Sequence, residues 1–177
     1  MRDSLEEIIE GQTPLALGKV AAVDIAGNIS YSLVVGSLLD YASGLGFAGI
    51  VASRSIATMF NTITGGPYGW WREKMYSWTK TREESPKGRK TLADLIAFNT
   101  FQAPFYSLIV GLSSYLTEGK ADSEKMLHAA SYIAGISPFI GPTMGWYLDR
   151  LRNVFGVVSA AKGAYKQHVR DDIHPNL

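Results

Sequence analysis

Charged residues are gathered into a few stretches of this chain and leave four long runs almost free of them. Residues 20–39 carry one charge, Asp24, and residues 45–71 carry one, Arg54. Residues 92–115 carry Asp94 alone, and residues 126–148 carry none when His128 is neutral. A helix rises about 1.5 Å per residue, so a hydrocarbon core about 30 Å thick takes about 20 apolar residues to cross. Each run meets that length. The pattern predicts an all-α integral membrane protein with four transmembrane helices, because four such runs in 177 residues would leave a soluble fold almost no polar face. Asp40 and the SGLGFAG after it mark a tight turn between the first two spans, and TKTREESPKGRK reads as a polar linker. After Arg150 the run LRNVFGVVSAAKGAYKQHV is amphipathic. Two forms fit it: a C-terminal helix lying on the membrane surface, or an extension of the fourth span. The expected organisation is an N-terminal extension over residues 1–19, a membrane domain over 20–155 and a tail over 156–177.

The two halves echo one another. VDIAGN (Val23–Asn28) resembles ADLIAFN (Ala93–Asn99), each at the start of a span, and GGPYGWWREK (Gly65–Lys74) resembles GPTMGWYLDR (Gly141–Arg150). Eight residues before the shared glycine, Gly69 or Gly145, stand Asn61 and Ser137. Two spans per half make both halves enter the membrane in the same direction. The expected architecture is two parallel two-helix repeats, an arrangement known among secondary transporters.

Composition adds exclusions. The averages, 46% hydrophobic and 19% charged, would suit an ordinary globule, so it is the distribution that carries the membrane reading. With no cysteine there is no disulfide, thiolate nucleophile or Cys-ligated metal. A net charge of +1 gives no reason for a nucleic-acid partner. No Ser/His/Asp set, metal cluster or phosphate loop is visible, so neither an enzyme nor a cofactor is expected. Lys and Arg concentrate between Arg72 and Lys90 and in the two tails, while Arg54, Lys120 and Lys125 lie on the other side. That asymmetry predicts cytoplasmic N- and C-termini. Trp70, Trp71, Trp78, Trp146 and Tyr147 then fall at the cytoplasmic boundary, where amphipathic rings prefer to sit.

Each span carries a polar or helix-breaking group near mid-depth. Asn28 and Ser32 lie roughly 12 and 18 Å in, and Asn61, Gln102 and Pro138 about 15 Å in, by helical rise. Asn28, Asn61, Asn99 and Gln102 fit either interhelical hydrogen bonding, at roughly 0.6 kcal/mol each, or a polar route for a small zwitterion. Pro104 and Pro138 each free a backbone carbonyl that lipid cannot satisfy. Asp24 and Asp94 lie only about 3–6 Å inside their spans. Both suit a first-turn structural role, with Thr91 and Asp94 matching a capping box, and both suit proton coupling. Arg54 either reaches the outer interface or holds a substrate carboxylate. Gly141 and Gly145 form a GxxxG that permits close helix approach.

At these residues the chain resembles the bacterial L-alanine exporter (AlaE-like) family. The resemblance rests on Leu92-Ala93-Asp94, Ala97, Thr100-Phe101-Gln102, Pro104 and Tyr106 in the third span. Ser53-Arg54, Asn61, Pro67-Tyr68-Gly69 and Arg72 add the second span, and Gly141, Gly145, Tyr147-Leu148-Asp149, Arg152 and Phe155 the fourth. Ala22 and Asp24 match less specifically, with Val23 between them, and Pro138 and Pro142 depart from the pattern. The resemblance implies export of L-alanine across a prokaryotic inner membrane by a proton antiporter, with L-alanine, protons and the lipid bilayer as partners. On that reading Asp94 and Asp24 carry the proton. Arg54, Asn28, Asn61, Asn99, Gln102, Pro104 and Tyr106 line the substrate route, and Gly69, Gly141 and Gly145 pack helices. Four helices are few to enclose a path with two gates, which favours a homo-oligomer. The competing expectation is a non-transporting membrane scaffold or assembly protein.

Overall fold

The computed structural model describes residues 14–42 and 46–165. Helix α1 spans Pro14–Tyr31, a π-helical segment follows at Ser32–Gly36, and α2 spans Ser37–Ala42. Then come three helices of 32 residues each, α3 (Phe47–Trp78), α4 (Lys87–Glu118) and α5 (Ser123–Val154). The described residues contain helices and connections and no strand. The N-terminal extension before residue 14 and the tail after 165 lie outside the described residues.

The long helices run about 48 Å by helical rise, well beyond what a bilayer core needs. Their excess is polar and lies at the ends: Arg72–Trp78 of α3, Lys87–Thr91 of α4 and Asp149–Val154 of α5. Among the described residues, Gly18–Tyr41 is the one stretch long and apolar enough to cross a membrane, with a mean hydropathy of 1.4.

Helix α1 packs chiefly on α3, and α4 on α5; α3 with α4, and α1 with α5, form the thinner seams between the two pairs. Glycine sets the close approach within each pair. A Cβ on Gly65 would lie 2.7 Å from Ile25 Cα, and one on Gly141 would lie 3.4 Å from Leu95 Cα. One turn later a Cβ on Gly69 would overlap the Asp24 carboxylate, and one on Gly145 that of Asp94. The GxxxG of α5 is therefore occupied within the chain, against α4, and is no free dimerisation face. The seams match as well. Trp71 Nε1 donates to Thr100 Oγ1 at 2.9 Å, and the Tyr147 and Ser30 hydroxyls are hydrogen-bonded at 2.9 Å.

Helices α3 and α5 also stop in the same way. Thr81 N–H donates to Tyr76 O at 2.8 Å past Lys80, whose φ is 51°; Val157 N–H donates to Arg152 O at 2.7 Å past Gly156, whose φ is 65°. Both are left-handed caps that absorb the last carbonyls. The second one reverses the chain. The fourth span is thus extended only to Val154, and residues 160–165 form a helical turn with Ala161 and Ala164 buried against Tyr76 and Ala93. This described part of the amphipathic run lies against protein and not free on a surface.

Candidate functional site

Two features dominate the interior: a cavity of about 430 Å³ between the helices, and a cluster of buried ion pairs at the end where α3 and α5 terminate. The cavity brings together five of the residues expected on a route, Asn28, Arg54, Asn61, Gln102 and Tyr106. Asn99 and Pro104 do not line it. Phe98, Ile140 and Met144 add an apolar wall.

Arg54 is turned into the protein, where the sequence left an outer-interface position equally open. Nε and Nη2 donate to Asp40 Oδ2 and Oδ1 at 2.9 and 3.3 Å, and Nη1 donates to Ser32 O at 2.9 Å. The two remaining contacts are to neutral hydroxyls, Ser32 Oγ on Nη1 at 3.1 Å and Ser53 Oγ on Nη2 at 3.0 Å. Gly36, in the π-helical segment, supplies the space, since a Cβ there would overlap the guanidinium. Such segments recur at functional sites because they re-aim the groups around them. Asp40, read from the sequence as part of a turn, is a ligand of this arginine.

The amides divide by half. In the second, Asn99 Nδ2 donates to Leu95 O at 2.9 Å and to Ser137 Oγ at 2.7 Å. Ser137 Oγ in turn donates to Ala134 O at 2.8 Å, the carbonyl that Pro138 leaves without its helical donor. In the first, Asn28 Nδ2 donates to Asp24 O at 2.8 Å, and its Oδ1 is buried without a partner. Asn61, the counterpart of Ser137, faces the cavity.

The ion pairs include residues that sequence reasoning had used only for orientation or family resemblance. Arg72 Nε donates to Asp94 Oδ1 at 2.7 Å, and Nη1 and Nη2 donate to the two Asp149 oxygens at 3.0 and 2.9 Å. Arg152 Nε and Nη2 donate to the two Asp24 oxygens at 2.8 and 2.6 Å, and Nη1 to Glu73 Oε1 at 2.8 Å. Each half's arginine is held by the carboxylate pair of the other half. Both guanidinium groups are 0% exposed. Asp94 sits in the second turn of α4, which begins at Lys87, and Asp24 lies deep in α1. Neither caps a helix, so the first-turn role expected as one alternative does not hold; both aspartates are ion-pair partners.

The reversed C-terminal segment closes this cluster. Ala160 N–H donates to Asp149 Oδ1 at 3.1 Å and Arg152 Nη1 to Val158 O at 3.3 Å. A Cβ on Gly163 would lie 2.7 Å from the Glu73 carboxylate carbon, and Arg82 lies over the Tyr165 ring at 4.7 Å. The two outer carboxylates diverge in consequence. Burial alone would raise the Asp149 carboxyl, but the Arg72 charge and hydrogen bonds, with the Ala160 N–H, hold it below the usual carboxylate range. At Glu73 burial outweighs Arg152 and pushes the carboxyl up.

A family model described as L-alanine exporter matches residues 16–158. The L-alanine exporter of Citrobacter koseri is 34% identical over 78% of this chain and 89% of its own length. That of Cronobacter sakazakii is 33% identical over 80% of this chain and 85% of its own. That of Escherichia coli K12 is 32% identical over 77% and 88%. No solved structure matches the chain.

Proposed function

This chain belongs to the L-alanine exporter family, and from that premise we propose that it exports L-alanine, or a similarly small neutral amino acid, across a membrane it spans four times. The observation that carries the reading is the cavity where Arg54 meets the amides of Asn28, Asn61 and Gln102. A zwitterion needs a cation for its carboxylate and acceptors for its ammonium, and this chain presents both inside an apolar shell. At Arg54 the two serine hydroxyls are the weaker acceptors, and a carboxylate displacing them would make charge-assisted bonds to both terminal nitrogens. Tyr106 adds a further lining group. Pro104, and Asn99 behind its bond to Ser137, belong to the route only in another conformation.

The four-span topology is supported by an inside-out distribution of polarity. Phe47, Met59, Ile63 and Phe139 are each at least 70% exposed, whereas the arginines of the ion-pair cluster are fully buried. An apolar exterior over a charged interior suits lipid better than water. Basic residues around the cluster support an orientation with that end, and both termini, in the cytoplasm of a prokaryotic cell. The matching glycines, seams and caps support two parallel two-helix repeats.

Outward movement of a neutral zwitterion needs an energy source, and an entering proton supplies about 2.3 kcal/mol per 100 mV. Proton antiport is the proposed source, with Asp94 or Asp24 taking the entering proton once its ion pair with Arg72 or Arg152 opens. A homo-oligomer remains part of the proposal, on the ground that four helices enclose little volume. The test is efflux from proteoliposomes loaded with L-alanine. Efflux that accelerates with an inward proton gradient is expected; no efflux would overturn the exporter reading, and efflux indifferent to the gradient would remove the coupling alone.

A further inference from the structure

Among the described residues that line the cavity, one fully buried polar atom has no hydrogen-bond partner. Asn28 is 1% exposed and lines the cavity, yet its Oδ1 accepts no hydrogen bond. Buried polar atoms are nearly always paired, so an orphan calls for a ligand or another explanation. The side chain cannot escape by flipping its amide. Its other end faces Asp24 O at 2.8 Å, and a carbonyl accepts only from a donor, so the nitrogen belongs there and the oxygen is the free end.

We infer that Asn28 Oδ1 receives a hydrogen bond from the ammonium group of the transported amino acid. This rests on the exporter reading and adds the residue that recognises the amine. An amide oxygen only accepts, and an ammonium only donates. A neutral acceptor also leaves no uncompensated charge in the empty site, which a carboxylate at this position would.

The placement suits an α-amino acid. Ser32, whose carbonyl and hydroxyl both hold Arg54 Nη1, lies one turn beyond Asn28, about 6 Å along the helix. The ammonium and carboxylate of an α-amino acid hang from a single carbon. With one hydrogen bond of about 2.9 Å at each end, such a molecule suits a separation of that order between acceptor and guanidinium. A longer ω-amino acid would separate the two groups beyond that span. Thr64 lines the same cavity and donates to Phe60 O at 2.9 Å, which leaves its hydroxyl oxygen able to accept a second N–H. Phe98, Ile140 and Met144 face the remainder, where a methyl side chain fits better than a polar one.

The test uses the full chain in proteoliposomes and measures L-alanine counterflow with two competitors. L-lactate keeps the carboxylate and methyl but replaces the ammonium by a hydroxyl; β-alanine keeps both charges at greater separation. Wild type is expected to prefer L-alanine to either by about 10- to 100-fold. Asn28→Leu keeps the branched side-chain skeleton and removes the acceptor, and its KM for L-alanine is expected to rise by a similar factor while preference over lactate falls. Asp24 O retains its helical donor in that variant, so the fold is little affected. An unchanged KM and preference in Asn28→Leu would overturn the inference while leaving the exporter reading intact. So would wild type failing to discriminate alanine from lactate, a measurement that does not depend on the variant folding. Absence of any alanine counterflow in wild type would remove the exporter reading and this inference with it.

Discussion

The two halves share a frame and differ in what they do with it. In each, a glycine on the second helix makes room for an aspartate on the first, Gly69 for Asp24 and Gly145 for Asp94. In each, an aromatic side chain hydrogen-bonds a hydroxyl across the seam, and a left-handed cap ends the second helix. One turn inward they part. Asn99 and Ser137 bond to one another at 2.7 Å, whereas Asn28 and Asn61 line the cavity and Asn28 Oδ1 stays unpaired. The second half spends Asn99 and Ser137 on bracing and lends Gln102 to the cavity; the first keeps Asn28 and Asn61 for a ligand. The ion pairs lock the halves together where α3 and α5 terminate and leave this asymmetry free to develop in the middle.

The largest effect is expected where the shared frame is broken. Arg72→Ala leaves Asp94 and Asp149 buried without a cation, which costs about 3–5 kcal/mol. Arg152→Ala does the same to Asp24 and Glu73. Thermal unfolding in detergent should show both falling by similar amounts, and a marked inequality would break the equivalence of the halves. Gly69→Ala and Gly145→Ala should follow, because each puts a methyl group into a carboxylate; loss of folded yield in both is expected, and a well-folded Gly145→Ala would show that α4 and α5 can separate.

Smaller effects sharpen the difference. Asp149→Asn should cost more stability than Glu73→Gln, by roughly 1–2 kcal/mol. Asp149 is held below its ordinary range, so its contribution is present above that range and is lost as pH falls through the lowered value. Glu73 is raised, so its ionised form is disfavoured by folding and neutralising it relieves burial. Denaturation of the two variants at neutral pH checks the order. The smallest effect is predicted for Ser137→Ala, about 0.6 kcal/mol in stability with KM for alanine within twofold of wild type. A large rise in that KM would mean that the Asn99–Ser137 brace also shapes the substrate site.

Much of the frame was legible because it repeats. The glycines of GGPYG and GPTMG, the aspartates of VDIAGN and ADLIAFN, and the mid-depth amides all stood at matching places along the chain. Arg54 and its neighbours stood out because charge inside an apolar run demands a reason. The ion-pair cluster was not legible. Arg72, Glu73, Asp149 and Arg152 sit where spans were taken to end, and at a membrane boundary charged residues need no partner to explain them. Only the overshoot of α3 and α5 beyond the spans, and their contact across halves, reveals the exchange of partners. The reversal at Gly156 was hidden for a related reason, since an amphipathic run gives its apolar face but not what covers it.

The chain's lack of cysteine allows the central contrast to be tested directly. Asn61→Cys and Ser137→Cys place single thiols at matching positions of the two halves, and a membrane-impermeant maleimide reports their access with and without L-alanine. The account predicts that Asn61→Cys is labelled and that alanine protects it, while Ser137→Cys is unreactive and indifferent to alanine. Equal labelling of both, or no protection at Asn61→Cys, would contradict a cavity that Asn61 faces and a brace that Ser137 forms.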